Sequence, residues 1–294
     1  MALTPRPALT PSLRGRRVLV TGAARGIGGG LADLLAAHGA RVALGGLEPD
    51  LLAERGARLD APWRECDVSD PDQVDAAVGD LVGELGGLDV VVANAGVAGQ
   101  LPIVGGRPGV METHLAVNTL GAYYTLRAAG PHISHPGGYA LAVASLAAAV
   151  HLPLMGAYSM SKAGVEALGD TLRSEIRHTG ARVGVAYFAE LDTDMTRRGF
   201  GTEAGRALTG GSTITGVAPL KSGLRALERG IARRSRIVAA PGWARAVLPV
   251  RGLAQRVTEH APQLRGLPRA LEIARGEDAP LTTEQPRGAC GVTR

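Results

Sequence analysis

A chain of 294 residues, 45% hydrophobic and 20% charged, suits one large α/β domain or two small ones with a substantial core. No apolar run nears the roughly 18 residues that cross a bilayer, "MALTPRPALTPSLRGRR" lacks the apolar stretch of a signal peptide, and two cysteines, Cys66 and Cys290, make no disulfide framework, so a cytoplasmic location is expected. The net charge of +5 is uneven, with 14 Lys/Arg against 6 Asp/Glu in 221–294 and 18 against 21 before that; aromatics at 3% with no basic–aromatic platform speak against nucleic-acid binding.

After a Pro-rich arm, residues 1–12, the short apolar run "RRVLVTG" predicts a buried parallel strand. "IGGGLADLLAAHGA" has helical periodicity and stops at a glycine, and "RVALGG" is the next strand. "DVSDPD" opens an amphipathic helix over "VDAAVGDLVGEL", and "LDVVVANAG" is again a strand. A long helix "METHLAVNTLGAYYTLRAAG", the strand "GGYALAVASL", the helix "AYSMSKAGVEALGDTLRSEIRHTG" and the strand "ARVGVAYF" follow. Alternating strand and helix predicts a doubly wound, Rossmann-type parallel sheet with helices on both faces, a three-layer α/β/α single domain.

Two stretches carry candidate chemistry. "VLVTGAARGIGGG" sets Gly22, Gly26 and Gly28 between the first strand and the first helix. Glycines there permit close backbone approach to a pyrophosphate, and the helix N-terminus offers free N–H groups; a purely structural turn is the alternative. "AYSMSKAG" sets Tyr158 and Lys162 four apart, on one helix face. An ammonium beside a phenol favours phenolate, which predicts a lowered tyrosine pKa. The spacing alone does not separate a helix surface from an acid–base pair.

"TGAARGIG", "ANAG" (93–96), "VNTLG" (117–121), Ser145 and "YSMSK" (158–162) occur in the order found in the short-chain dehydrogenase/reductase family, which the chain resembles over about 14–200. The resemblance implies an NAD(P)-dependent oxidoreductase interconverting a secondary alcohol and a ketone. It makes Tyr158 the proton donor and acceptor. Lys162 becomes its partner and the holder of the nicotinamide ribose, Ser145 the hydrogen-bonding group for the substrate oxygen, and Asn118 the holder of a relay water. The implied cofactor contacts are Gly22, Arg25, Gly26, Ile27 and Gly28 in the loop, Asp67 and Val68 at the adenine, Asn94, Ala95 and Gly96 after the central strand, Thr193 at the carboxamide, and Tyr158 and Lys162 themselves.

Two departures stand out. The second strand ends at Gly46, where many NAD-preferring members carry an acid, while Arg25 suits a 2′-phosphate; this favours NADP over NAD, with Glu48 near enough to act as the acid instead. "YFAELDTDM" has Phe188 and Ala189 where the family commonly has Pro-Gly. Either the loop takes another path, or the pocket is reshaped with Phe188 or Glu190 at the substrate or cofactor.

His132 and His135 lack companions at ligand spacing, so no metal is expected. The catalytic domain is expected to span 13–258, with a substrate lid near 196–215, leaving 259–294 as a C-terminal extension. Residues 242–258 mix Trp243, Val247, Leu248 and Leu253 with Arg245, Arg251 and Arg256; they suit an anionic membrane surface, or a cover for the cleft or for a second subunit. By resemblance, helices near 111–129 and 157–178 pair subunits in a homodimer or homotetramer. A non-redox epimerase or dehydratase on the same scaffold, or a cofactor-binding scaffold or sensor without turnover, are the rival readings.

Overall fold

The computed structural model describes residues 12–199, 201–210, 213, 215–261, 264 and 266–277. The arm is thus described only at Ser12, and Cys290 lies outside the described residues.

The chain begins with β1 (Arg17–Thr21), α1 (Gly26–Ala37) and β2 (Arg41–Gly46). Then come α2 (Pro49–Leu59) and β3 (Trp63–Glu65), two elements that the periodicity did not reveal. The next are α3 (Pro71–Leu85), started by Asp70 accepting from the Asp72 and Gln73 N–H groups, and β4 (Val90–Ala93). The expected long helix is α4 (Pro108–His114) and α5 (Gly121–Ile133), joined by a π-turn over Leu115–Leu120. β5 (Tyr139–Val143), α6 (Gly156–Glu175) and β6 (Arg182–Phe188) follow. The C-terminal part holds α7 (Asp194–Gly199), α8 (Glu203–Thr209), α9 (Leu220–Arg233), β7 (Ile237–Ala240), α10 (Ala244–Val247), α11 (Arg251–Glu259) and α12 (Leu267–Gly276).

The described strands form one parallel sheet in the order β3-β2-β1-β4-β5-β6-β7. Alternate side chains of each strand enter opposite cores, which is why the strands read as unbroken apolar runs. Leu19, Val91 and Ala142 join Val78 and Leu81 of α3 and Leu126 of α5 on one face. Val18, Val20, Val92 and Leu141 join Leu31 and Leu35 of α1 and Leu227 of α9 on the other. The chain is therefore the predicted three-layer, doubly wound α/β fold. Strand order reverses between β1 and β4, and a crevice opens there at the carboxyl ends of the strands.

Candidate active site

The crevice is a cavity of about 560 Å³ whose wall includes Gly22, Arg25, Gly26 and Ile27 at one end and Ser145, Tyr158 and Lys162 at the other. Gly22 has φ +66°, and a Cβ on Gly28 would sit 2.2 Å from the Gly22 carbonyl oxygen and 2.5 Å from Asn94 Nδ2. The turn therefore closes only with glycine at both positions. Arg25 occupies the cap position of α1 and no side chain accepts the first N–H groups of that helix, which leaves them for an anion. Arg55 braces the turn from outside, donating to the Gly29 carbonyl at 3.0 Å and pairing with Asp33 at 2.5 Å. A bare arginine in α2 gave no sequence signal for that role.

Asn94 ties the loop after β4 to the end of β1. Its Nδ2 donates to the Thr21 carbonyl at 2.9 Å, and the N–H groups of Asn94 and Ala95 reach Thr21 Oγ1 at 3.1 and 3.3 Å. Gly96 lies so close to the catalytic set that an added Cβ would stand 3.0 Å from Asn118 Oδ1 and 3.2 Å from Lys162 Nζ. At the adenine end, Cys66 and Val68 are on the wall. Asp67, between them, is not on the wall: it is buried and turned into its own bend, with Oδ1 accepting from the Ser69 N–H at 2.9 Å and hydroxyl at 2.7 Å. Burial and the neighbouring Asp67 and Asp70 push the Cys66 thiol up to about 12, so it is an inert wall residue.

Arg25 is paired with Glu48: Nε is 3.0 Å from one carboxylate oxygen, and the second guanidinium nitrogen bonds to the other. The two groups that the sequence sets in opposition for cofactor choice thus face each other at one rim of the cavity.

At the catalytic end, β5 delivers Ser145 and α6 delivers Tyr158 and Lys162. Ser145 Oγ lies 3.3 Å from the Phe188 carbonyl, accepts from the Ala147 N–H at 3.1 Å, and shares a side-chain hydrogen bond with Tyr158. Lys162 is buried, its Nζ donating to the Val143 carbonyl at 2.9 Å and standing 5.9 Å from the centre of the Tyr158 ring. Burial lowers its pKa to about 8. The Tyr158 phenol is raised, by burial first, with the Ser145 hydrogen bond pulling the other way. This reverses the direction expected from a neighbouring charge: taking both groups out of water disfavours phenolate and ammonium alike.

Asn118 sits in the π-turn, and its side chain is fully engaged. Oδ1 accepts from the Val97 N–H at 2.7 Å, while Nδ2 donates to the Val97 carbonyl at 3.0 Å and to Ser161 Oγ at 2.9 Å. Its amide therefore fastens the bent helix to the loop after β4 and to α6, and only its backbone remains to hold a water. Thr193 lines the cavity and is bonded to Thr196, whose N–H it accepts at 3.2 Å. Phe188 ends β6, packs into the core and also lines the cavity, and the altered turn after it brings Glu190, Asp192, Thr193 and Asp194 to the wall. Burial raises the Glu190 carboxyl, and Thr215 donates to it at 3.4 Å.

Three neighbours went unread in the sequence. His114 is buried edge-on to Tyr158 at 6.3 Å, with Nδ1 2.7 Å from the Val110 carbonyl, and burial lowers its pKa. Met155 and Met195 pack on the Tyr158 cluster. Offsets from recognised residues, three before Tyr158 and two after Thr193, were the available signal for the methionines.

The stretch expected as a lid, 196–215, holds the end of α7 and all of α8, and α12 lies along α8 through Leu267, Ala270 and Leu271 against Ala204 and Leu208. Glu277 accepts from the Glu203 and Ala204 N–H groups at 2.7 and 3.0 Å, and Arg107 donates to its carbonyl at 3.0 Å. The 242–258 segment is divided. Ala244 and Leu248 enter the core, Arg251 pairs with Glu166 of α6 at 2.7 Å, and Trp243, Val250, Leu253 and Val257 remain exposed. Among the described residues no group of three His, Cys, Asp or Glu is placed to hold a metal, and no helix is long and apolar enough to cross a membrane.

The short chain dehydrogenase family profile matches residues 16–204. D-threitol dehydrogenase of Mycolicibacterium smegmatis is 33% identical over 202 residues, covering 67% of this chain and 78% of that enzyme. A short chain dehydrogenase from Burkholderia cenocepacia J2315, solved with NADP, superposes with a TM-score of 0.70 at 26% identity, covering 80% of this chain and 99% of that one. A short chain dehydrogenase/reductase from Burkholderia phymatum, solved with NAD, gives a TM-score of 0.72 at 21% identity, covering 84% and 95%, and speaks to the fold alone. With the profile spanning well over half of the sequence, the chain belongs to the short chain dehydrogenase family of NAD(P)-using oxidoreductases.

Proposed function

We propose that the chain interconverts a secondary alcohol and a ketone with NADP or NAD, using Tyr158 as the acid and base. One observation carries the reading: a single cavity brings an anion-binding glycine turn together with Ser145, Tyr158 and Lys162. The glycine turn and the uncapped α1 fit a pyrophosphate, and the bound nicotinamide supplies or takes the hydride.

In reduction, Tyr158 donates its phenolic proton to the substrate oxygen, and its raised pKa keeps that proton in place at neutral pH. Ser145 orients the same oxygen and stabilises charge developing on it. Lys162, poised near neutrality by burial, restores the proton from behind the ring. Asn118 holds the bent helix against Val97 and Ser161, which keeps Gly96 and Lys162 in register.

Arg25 favours NADP by offering a guanidinium to a 2′-phosphate, and Glu48 leaves NAD as an alternative because its carboxylate accepts from a free ribose hydroxyl. Exposed Leu120 and Tyr123 beside α5 and Met160 on α6 support pairing with a second copy, and the free apolar side of α11 leaves open peripheral contact with a membrane. A cytoplasmic location goes with this reading.

The test is Tyr158→Phe, with turnover followed by nicotinamide absorbance and binding by fluorescence titration with NADPH and NADH. Turnover falls at least a thousandfold with dinucleotide affinity retained. Unchanged turnover defeats the assignment, and product formed without net dinucleotide oxidation moves the chain to the epimerase or dehydratase reading.

A further inference from the structure

The wall beside Tyr158 is hydrocarbon. Ala98 and Ala147 are buried against the phenol, and Met155 and Met195 pack on the same cluster. Val150, Leu152, Pro153 and Leu208 continue the surface toward the lid. Methionine is unbranched and polarizable, so this pair adapts to irregular apolar shapes rather than fixing one.

Several polar side chains around that surface bond within the protein. Thr202 Oγ1 bonds to the Gln100 carboxamide oxygen and accepts from the Gly205 N–H at 3.0 Å. Arg206 donates to the Gly201 carbonyl at 2.7 Å, and Glu190 accepts from Thr215. A further hydroxyl set against Met155, Met195 or Leu152 would lose water and meet no partner there, at a loss of roughly tenfold or more in affinity.

Resting on the oxidoreductase reading, we propose that the substrate is a largely hydrocarbon ketone or secondary alcohol whose unreactive part lies against Met155, Met195 and the inner face of α8. The polyol named for the relative from Mycolicibacterium smegmatis is then the wrong polarity for this cleft.

The experiment uses the full chain with NADPH and NADH and four probes: cyclohexanone and 2-octanone against the polyhydroxy ketone erythrulose in reduction, and cyclohexanol against threitol in binding. The kcat/KM for the apolar ketones exceeds that for erythrulose by roughly a hundredfold. Met155→Gln and Met195→Gln each lower kcat/KM for cyclohexanone about tenfold with NADPH affinity unchanged. Saturation-transfer NMR on the protein–NADP complex shows contact to cyclohexanol and none to threitol. Erythrulose turned over as well as the ketones, equal transfer to both alcohols, or transfer to neither overturns the inference. Transfer to cyclohexanol without turnover of any ketone sinks the oxidoreductase reading and leaves the substrate class standing.

Discussion

Lys162 offers a thermodynamic test that needs no substrate. Its pKa falls from 10.5 to about 8 because the ammonium is buried without an anionic partner among the causes of the shift. At about 1.4 kcal/mol for each tenfold, the folded state pays about 3 kcal/mol to hold the protonated form. The sign is that of a base with a depressed folded pKa: stability is complete above 10.5 and is lost as pH falls toward about 8, below which the whole penalty applies. Lys162→Met removes the titration but also the bond to the Val143 carbonyl, a loss of about 1 kcal/mol. The variant should therefore be about 2 kcal/mol more stable than wild type at pH 7 and indistinguishable or weaker near pH 10.5. The assay is urea unfolding of both proteins without dinucleotide at pH 7, 8, 9 and 10, with equal m-values as the condition for comparison. Stability curves that run parallel across that range refute the claim that a buried charge at Lys162 strains the unliganded site.

At the other end of the cavity, Glu48→Ala frees Arg25 and should shift the NADPH-to-NADH affinity ratio about tenfold toward NADPH. Parallel fluorescence titrations measure it, and an unmoved ratio removes the pair from cofactor choice. Gly28→Ala drives a methyl into the Gly22 carbonyl and Asn94; dinucleotide binding should be lost and the melting temperature lowered, and an intact titration curve would show that the turn has room. Glu277→Ala removes the acceptor for the Glu203 and Ala204 N–H groups. Amide exchange there should quicken about fivefold, the scale of a lost helix cap, while β4 and β5 stay protected; equal exchange in the two proteins would break the link between Glu277 and the lid.

The fold was legible because a buried parallel strand leaves a plain mark. "VLVTG", "VVVANAG" and "YALAV" enter both cores by alternate side chains and so are apolar throughout. Trp63–Glu65 escaped notice because a three-residue edge strand with one charged and one half-buried end has no such run. Ser145, Tyr158 and Lys162 were legible as ordered residues, but their protonation was not: a four-residue spacing predicts attraction between charge and phenol, whereas desolvation depends on the walls that the fold adds around them. Phe188 shows the same limit. The sequence left it either in a rerouted loop or at a reshaped pocket; in the structure β6 runs on to Phe188, which packs in the core and also meets the cavity. The methionine wall was the least visible, since its members come from three segments that only the sheet brings together.

The family match ends at residue 204, two residues into α8. Ser145, Tyr158 and Lys162 lie before that boundary, while most of α8 and all of α12, which backs it, lie after it. The wall of the cleft is thus drawn from both stretches, Met155 and Met195 from the first and Leu208 from the second. A substitution in α8 or α12 can therefore reshape the cleft at Leu208 without touching Ser145, Tyr158 or Lys162.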